Sequence, residues 1–533
     1  MHLDRDACYR ALLTRDARFD GQFFTAVRTT GIYCRPICPA RPPKLEHIIF
    51  MPSAAAAQEA GFRPCLRCRP ETTPDLAAWH GTASTVSRAM ALIAAGALND
   101  DSVDGLAGRL GLGERQLRRL FRQHLGASPN AVAQTRRVLF AKQLISDTRL
   151  PMAEIAFAAG FGSLRRFNDT FHKLYGRPPR GLRRGKAAIE TAGSTAITLV
   201  LPYKPPYDWP SLIAFLAARA IPGIEQVEAD SYARTISLGD SHGSIAVRPA
   251  RKGAHALAAT IRFPLVAALP AIVNRIRRIF DLGADPAVIG SHLSEDSHLA
   301  PLVAARPGLR VPGAWDGFEL AVRGILGQQI TVGAATRLAG KLVAAFGTPL
   351  ATDGHAAGLC AVFPAPGRLA EAELATRLGM PRARAAAISA LAAAAAADPR
   401  LFEASQGLED AILRLRTLPG IGDWTAQYIA MRALREPDAF PAADIGLLRA
   451  MATGKGRPTP AQLLARAESW RPWRAYATLH LWTAEAAAPS GATPPDVTPP
   501  DVTPSDVTME KPRETPARPH PLPDRDDSAR LGG

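Results

Sequence analysis

The 533-residue sequence predicts a multidomain protein: a small α/β domain around clustered cysteines, an all-α double helix-turn-helix domain, an α+β domain, an all-α helix-hairpin-helix domain, and a disordered C-terminal tail. Three observations predict this order. Four cysteines stand as C-x3-C and C-x2-C within the first 80 residues, two similar Arg-rich helical stretches follow them, and a tandem TPPDV, TPPDV, TPSDV lies near the end. The expected boundaries are 1–80, 82–185, 196–309, 310–487 and 488–533.

Charge and cysteine usage narrow the class. The formal net charge is +16, and because the tail after Ala486 holds five Lys/Arg against eight Asp/Glu, the rest carries +19. Nucleic acid is the leading partner for such a charge. Six cysteines in a chain this long do not make a disulfide framework and fit a reducing cytoplasm. The start, MHLDRDACYR, is too charged for a signal peptide, and the longest mainly apolar stretch, the 13 alanine-rich residues 385–397 with Ser389 among them, is too short to span a bilayer. A soluble cytoplasmic protein with no membrane partner is expected.

In the first domain, Cys34, Cys38, Cys65 and Cys68 lie in TTGIYCRPICPARPP and GFRPCLRCRP. Each short loop lets both of its sulfurs reach one ion, so the set can close a tetrahedral zinc shell. Arg28, Arg35, Arg41, Lys44, Arg63, Arg67 and Arg69 surround it, which points the site at phosphate. A structural zinc clip and a zinc site with a reactive sulfur both remain open on spacing alone. Cys8 and Cys360 are isolated and expected to be buried structural residues.

Residues 84–186 carry 18 Lys/Arg against 7 Asp/Glu. Two stretches there, DSVDGLAGRLGLGERQLRRLFRQHLGASP and LPMAEIAFAAGFGSLRRFNDTFHKLYGRPP, each read as a short helix, a turn at Gly111 or Gly160, and an Arg-rich helix closed by Gly126 or Gly176. A glycine turn permits the sharp angle of a helix-turn-helix, whose second helix enters the major groove. The candidate DNA contacts are Arg115, Gln116, Arg118 and Arg119, then Ser163, Arg165, Arg166 and Asn168. The 49-residue offset between the two turn glycines resembles the AraC-type domain.

Near Ala196 the pattern changes. ITLVLPYKPPYDW, ARTISLG and GSIAVRP read as strands and SLIAFLAARAI as a helix between them. From about Val311 the chain is helical again. LEDAILRLRTLPGIGDWTAQYIAMRAL places Leu418-Pro419-Gly420-Ile421-Gly422 between two helices. Gly420 and Gly422 let backbone N–H groups approach a phosphate, so this turn grips DNA without reading sequence. FPAAD ends in Asp444, the expected N-cap of a helix starting at Ile445. A carboxylate fixed there can also stabilise positive charge developing on a deoxyribose, or orient water. No lysine lies between Gly420 and Asp444, so no Schiff base and no strand-cleaving lyase step are expected. Trp424, Tyr428, Trp473 and Trp482 offer flat surfaces on which an extruded, electron-poor base can stack; core packing is the competing reading for each ring. The Pro/Asp-rich tail cannot bury a core and is expected to be disordered.

Residues 311–487 resemble the helix-hairpin-helix DNA glycosylases of the AlkA type, which remove 3-methyladenine. The resemblance rests on GILGQQI, LPGIG, FPAAD and WRPWRAYATLHLW, and residues 196–309 look like that family's β-rich N-terminal domain. It implies Asp444 as the catalytic aspartate, Trp424, Tyr428 and Trp482 as base-pocket residues, and Gln328 and Gln329 at the DNA. Family members wedge an apolar residue into the gap left by the flipped base; here either Gln329 or Ile330 stands at that loop. The first 185 residues resemble the N-terminal half of Ada, a methylphosphotriester-repair zinc domain followed by an AraC-type domain. The match covers FDGQFFTAVRTTGIYCRPIC, GFRPCLRC and both helix-turn-helices. It implies that Cys34 accepts the methyl group while Cys34, Cys38, Cys65 and Cys68 bind one Zn2+, and that no organic cofactor is needed. Ada proteins continue into an O6-methylguanine methyltransferase with a Pro-Cys-His-Arg site. The only cysteine after Cys68 is Cys360, in GLCAVF, so that activity is expected to be missing. The expected function is alkylation-damage response: stoichiometric methyl transfer to Cys34, gene activation with RNA polymerase as a partner, and monofunctional excision of 3-methyladenine from double-stranded DNA. The alternative is a transcription regulator whose second half only holds DNA.

Overall fold

The computed structural model describes residues 4–74, 84–183, 196–251, 253–350, 356–403, 407–453 and 456–487. The expected disordered tail, 488–533, lies outside the described residues, as do the linkers 75–83 and 184–195. Among the described residues no helix is long and apolar enough to cross a membrane.

The cysteine domain opens on the helix Arg5–Thr14, capped by the Asp4 carboxylate. It then forms a four-stranded sheet from β1 (Phe24–Val27), β2 (Ile32–Cys34), β3 (Ile48–Met51) and β4 (Arg63–Pro64), in the order β3-β1-β2-β4. The last pairing, β2 with β4, is parallel, and this brings the two cysteine segments to one end of the sheet. Phe24, Ala26 and Tyr33 pack beneath the helix Ala54–Glu59, and the buried Tyr33 hydroxyl accepts from Gln58 Nε2 at 2.9 Å.

The next domain is all helical. Gly111 and Gly160 hold φ of +71° and +82° at the two turns, a region open to glycine at little cost. The helix Glu114–Leu125 buries Leu117, Phe121 and Leu125; Leu164–Tyr175 buries Phe167, Phe171 and Tyr175. This four-residue spacing puts one apolar stripe on each helix and leaves the arginines outside. The nineteen-residue helix Pro129–Asp147 joins the two units.

The α+β domain is an antiparallel five-stranded sheet in the order β5-β9-β8-β7-β6, comprising β5 (Ile197–Pro202), β6 (Glu225–Val227), β7 (Tyr232–Leu238), β8 (Ser241–Pro249) and β9 (Ala256–Arg262). The sequence marks β5, β7 and β8 and the helix Trp209–Ala217; β6 is three residues long and β9, ALAATIR, is too alanine-rich to read as a strand. The described residues of 317–487 form a helical bundle, with the short pair Thr348–Pro349 and Ala361–Val362 in antiparallel strand pairing. In its alanine-rich helix Arg382–Ala397, Ala385, Ala387, Ile388, Leu391, Ala392 and Ala395 are buried. Small side chains there let the hairpin at Gly420 come close.

The halves pack on each other directly. The second helix-turn-helix shares a continuous core with the sheet, in which Phe161, Phe167 and Phe171 join Leu199, Leu201 and Ile272. Truncating one of these phenylalanines to alanine is expected to cost about 3–5 kcal/mol. Gln143 Nε2 donates to Val200 O at 2.9 Å, Arg109 pairs with Glu403 at 2.6 Å, and Arg88 faces Glu436 at 3.8 Å. Cys8 is buried as expected, but Cys360 is exposed. It sits just beyond the short strand pairing, where its backbone N–H bonds Gly223 O and its carbonyl accepts from Leu350 N–H.

His480, only 6% exposed in the helix Arg474–Ala487, has no hydrogen-bond partner for Nδ1 among the described residues. Burial pulls its imidazole down from 6.5 to about 4. A depressed histidine means that the unfolded chain binds the proton first, so its contribution is present above pH 6.5 and is lost as pH falls towards 4. His480→Gln is therefore expected to flatten the acid limb of stability by up to about 3 kcal/mol. Denaturant midpoints across that range check this, and curves parallel to wild type contradict it.

Candidate metal centre and candidate active site

Two strands deliver the four cysteines. Cys34 ends β2, and a turn closed by Cys38 N–H to Arg35 O at 3.1 Å brings in Cys38. Beyond β4, Cys65 N–H bonds Tyr33 O at 3.0 Å, which fixes the second pair against the first. The four sulfurs all lie within 4.8 Å of one another. A tetrahedral zinc–thiolate shell sets its sulfurs about 3.8 Å apart, so the donor set fits zinc with little adjustment. Two backbone N–H groups already point at sulfur, Arg35 at Cys68 and Arg67 at Cys65, each at 3.4 Å. Hydrogen bonding to Cys38 pushes the Cys34 thiol up, and the same contact pulls Cys38 down to about 7. Sulfurs this close ionise together only around a cation.

Cys34 differs from its companions: it is half-buried, whereas Cys38, Cys65 and Cys68 are buried. The surrounding cations also differ from the expectation that all face phosphate. Arg35 is buried; its Nε bonds Asp20 at 2.9 Å and its Nη1 bonds Thr72 Oγ1 at 2.7 Å. Arg69 pairs with Glu71 and Asp147 at 3.1 and 2.9 Å. Both are structural, tied up by acids that the sequence gave no reason to pair with them. Arg28, Arg41, Lys44 and Arg67 are exposed.

On the helix-turn-helix pair, Arg115, Gln116 and Arg119 are exposed at the start of the first Arg-rich helix, while Arg118 is half-buried and paired with Glu114 at 2.5 Å. On the second, Ser163, Arg165, Arg166 and Asn168 are all exposed; the Ser163 hydroxyl also caps the helix by accepting from Arg166 N–H at 3.2 Å.

The hairpin in the last domain works through Gly420. Its φ is +77°, and a Cβ there would stand 2.5 Å from the Ala387 Cβ, so conformation and space both demand glycine. Gly422 has an ordinary φ of −81° and caps the helix Asp423–Ile429, with open space where a Cβ would be. The Gln328 amide donates to Gly420 O at 2.8 Å and to Thr425 Oγ1 at 3.2 Å, tying its loop to the hairpin. Gln329 beside it is exposed, with a φ of +59°, and Ile330 is exposed too.

Asp444 is the N-cap of Ile445–Ala450, as expected, but it has two further partners. Trp424 Nε1 donates to Oδ2 at 2.8 Å, and Trp482 Nε1 donates to Oδ1 at 2.9 Å, beside the capping Leu447 N–H at 3.0 Å. Trp424 and Tyr428 stack with centroids 5.2 Å apart and planes 10° from parallel; Tyr428 and Trp482 lie 6.4 Å apart, tilted by 52°. Three rings and one carboxylate thus form a half-buried site beside the hairpin. Gly446 belongs to it as well, since a Cβ there would press on Asp444 Oδ1 at 3.0 Å and on the Trp482 ring at 3.5 Å. Trp473 does not belong: it is 4% exposed and packs edge-on against Tyr476 in the core.

Sequence reasoning missed several supports. Gln427 Oε1 accepts from Phe440 N–H at 3.0 Å, holding the FPAAD segment against the hairpin helix. Arg432 bonds the Tyr428 hydroxyl, and its spacing of four residues on one helix was the available signal. Phe215, from the preceding domain, lies with its ring centre 4.8 Å from the Arg432 guanidinium carbon, and nothing in the sequence signalled that contact. Burial alone would push the Tyr428 phenol up, but the positive charges of Arg432 and Arg219 overcome it and the phenol is held below its usual value.

Four family models match consecutive stretches: the metal binding domain of Ada over residues 7–71, a helix-turn-helix domain over 106–185, the AlkA N-terminal domain over 198–316, and the HhH-GPD superfamily base excision DNA repair protein over 322–475. A Mycobacterium tuberculosis protein described as a probable bifunctional transcriptional activator/DNA repair enzyme AlkA is 44% identical over 487 residues, 91% of this chain and 97% of that one. DNA-3-methyladenine glycosylase 2 of Escherichia coli is 38% identical over 296 residues, 55% of this chain and 99% of that one. The AdaA bifunctional transcriptional activator/DNA repair enzyme of Bacillus subtilis is 30% identical over 188 residues, 35% of this chain and 86% of that one.

Proposed function

The chain belongs to the family of bifunctional transcriptional activator/DNA repair enzymes of the AlkA type, and from that premise we propose how its two halves divide the work. It is an alkylation-damage protein with an Ada-like transcription-activating half and a DNA-3-methyladenine glycosylase half, and its partner is DNA. The working divisions are 1–80 for methyl acceptance, 82–185 for operator binding, and 196–309 and 310–487 for base excision, with 488–533 assigned to neither task. The cytoplasm is its place of action, and RNA polymerase is the partner of the activating half.

Cys34 is the methyl acceptor. Zinc held by Cys34, Cys38, Cys65 and Cys68 keeps the sulfurs as thiolates at neutral pH when bound. The Cys34 sulfur attacks the methyl carbon of a DNA phosphotriester; the S–C bond forms, the C–O bond breaks, and the phosphodiester anion leaves. Its half-buried position among three buried companions supports this choice. Methylation removes one negative charge from a surface that carries Arg28, Arg41, Lys44 and Arg67, and so favours DNA phosphate. Arg115, Gln116, Arg118, Arg119, Ser163, Arg165, Arg166 and Asn168 then read or hold the operator.

Asp444 is the catalytic carboxylate of a monofunctional glycosylase, and the observation that carries this is its clamp between two indole N–H groups. Each indole fixes one oxygen, so the carboxylate faces the deoxyribose without reorganisation as the N-glycosidic bond stretches and positive charge develops. Trp424, Tyr428 and Trp482 hold the extruded base by stacking; Gln328, Gln329, Gly420 and Gly422 hold the duplex. Water completes the hydrolysis.

Base release from alkylated DNA tests this half. Asp444→Asn keeps an acceptor oxygen for the Leu447 N–H, so folding and DNA affinity are expected to persist while 3-methyladenine release falls at least about a hundredfold. Equal release by the two proteins sinks the mechanism, and no release by either points to a half that only holds DNA. For the other half, intact-protein mass after incubation with methylphosphotriester DNA is expected to rise by one methyl group, located on Cys34 by peptide mapping. An unmodified protein, or a methyl on another cysteine, contradicts the assignment.

A further inference from the structure

Behind the aromatic wall lies a group that the stacking account leaves unused. The helix Asp423–Ile429 runs into a π-helical turn, Ala430–Leu434, an irregularity that recurs at functional sites. In that turn Arg432 is 6% exposed. Its Nε donates to Pro312 O at 2.8 Å and its Nη2 to Gly313 O at 3.1 Å, which leaves Nη1 to reach the Tyr428 hydroxyl. Its guanidinium carbon stands 4.8 Å from the centre of the Phe215 ring, and that of Arg219 stands 3.7 Å from the same ring. Arg432 is therefore locked by two backbone carbonyls and cannot follow the phenol if the phenol turns.

We propose that Arg432 is a positioning residue for base recognition: it fills the acceptor side of the Tyr428 oxygen, turns the hydroxyl proton away, and so makes this tyrosine a fixed hydrogen-bond donor towards the extruded base. This rests on the reading that Tyr428 lines the base pocket. A phenol has one proton and a limited acceptor capacity. With Arg432 donating to the oxygen, Arg219 in hydrogen-bonding reach of it and the charge of Arg323 near it, the proton is driven away from this cationic face. A fixed donor favours a base that presents a lone pair, such as a carbonyl oxygen, over one that presents an amino group at the same edge. Stacking on Trp424 and Tyr428 selects for an electron-poor ring; the oriented hydroxyl selects among such rings.

The test compares two substrates that differ at that edge, 7-methylguanine with a carbonyl and 3-methyladenine with an amino group, as kcat/KM for release from duplex DNA. Tyr428→Phe keeps the ring and deletes the donor; Arg432→Met keeps the bulk of the side chain and deletes the orienting charge. The ratio of 7-methylguanine to 3-methyladenine release is expected to fall about three- to tenfold in each, the range of a single hydrogen bond, and no further in the double variant. A folding defect lowers both substrates alike and leaves the ratio unmoved. Arg432→Lys, which keeps a cationic donor, is expected to restore part of the ratio. If the wild type releases both bases and the ratio is unchanged in Tyr428→Phe and Arg432→Met, the proposal is overturned while the base-pocket reading stands. A wild type that releases neither base overturns both.

Discussion

The carboxylate of Asp444, held from two sides by the indole N–H groups of Trp424 and Trp482, is the interaction on which the proposed chemistry of the glycosylase half depends. Each indole comes from a different helix, so the clamp closes only when the hairpin helix Asp423–Ile429, the Asp444-capped helix Ile445–Ala450 and the C-terminal helix Arg474–Ala487 are all in place. The bundle core that sets these helices is in this sense part of the chemistry. Two tryptophans serve at once as ring surfaces beside Tyr428 and as hydrogen-bond donors, and in the proposed mechanism that double use lets one small site bind a base and orient a charge. Asp444 also carries the helix cap, so the carboxylate proposed for catalysis is held rigid by local structure as well.

The zinc-binding half uses the same economy. The parallel pairing of β2 with β4 brings both cysteine pairs to one end of a sheet, and buried Arg35 braces that end against Asp20 and Thr72. Three sulfurs are sealed and one is partly open, an asymmetry that spacing cannot show. The two halves are not beads on a string within residues 4–487. The second helix-turn-helix contributes Phe161, Phe167 and Phe171 to the core that also holds Leu199 and Leu201 of the sheet, and Arg109 and Arg88 reach acids of the helical bundle.

Much of this was legible in the sequence because it is local. Metal-ligand spacing, glycine turns with their αL caps, the LPGIG hairpin and the Asp444 cap each depend on a few neighbouring residues, and the structure has each of them. What stayed hidden is what depends on distant partners. Nothing in WRPWRAYATLHLW says that Trp482 turns its N–H to Asp444 while Trp473 enters the core; the choice is made by where the last helix packs. Phe215 and Arg219 approach the site from another domain, and Arg35 and Arg69 are drawn inward by acids many residues away. The strand β9 buries Leu257, Ala259 and Ile261 in alternation, but with alanine on both of its faces the contrast in ALAATIR is too weak to mark it.

The central claim is that two indole N–H groups, and not merely two aromatic rings, hold Asp444 ready. Single-turnover excision of 3-methyladenine by the Trp424→Phe, Trp482→Phe double variant tests it, because an aromatic ring, though a smaller one, stays at each position while both N–H donors are lost. The rate is expected to fall about ten- to a hundredfold with DNA affinity near wild type. A double variant that excises at the wild-type rate would contradict it.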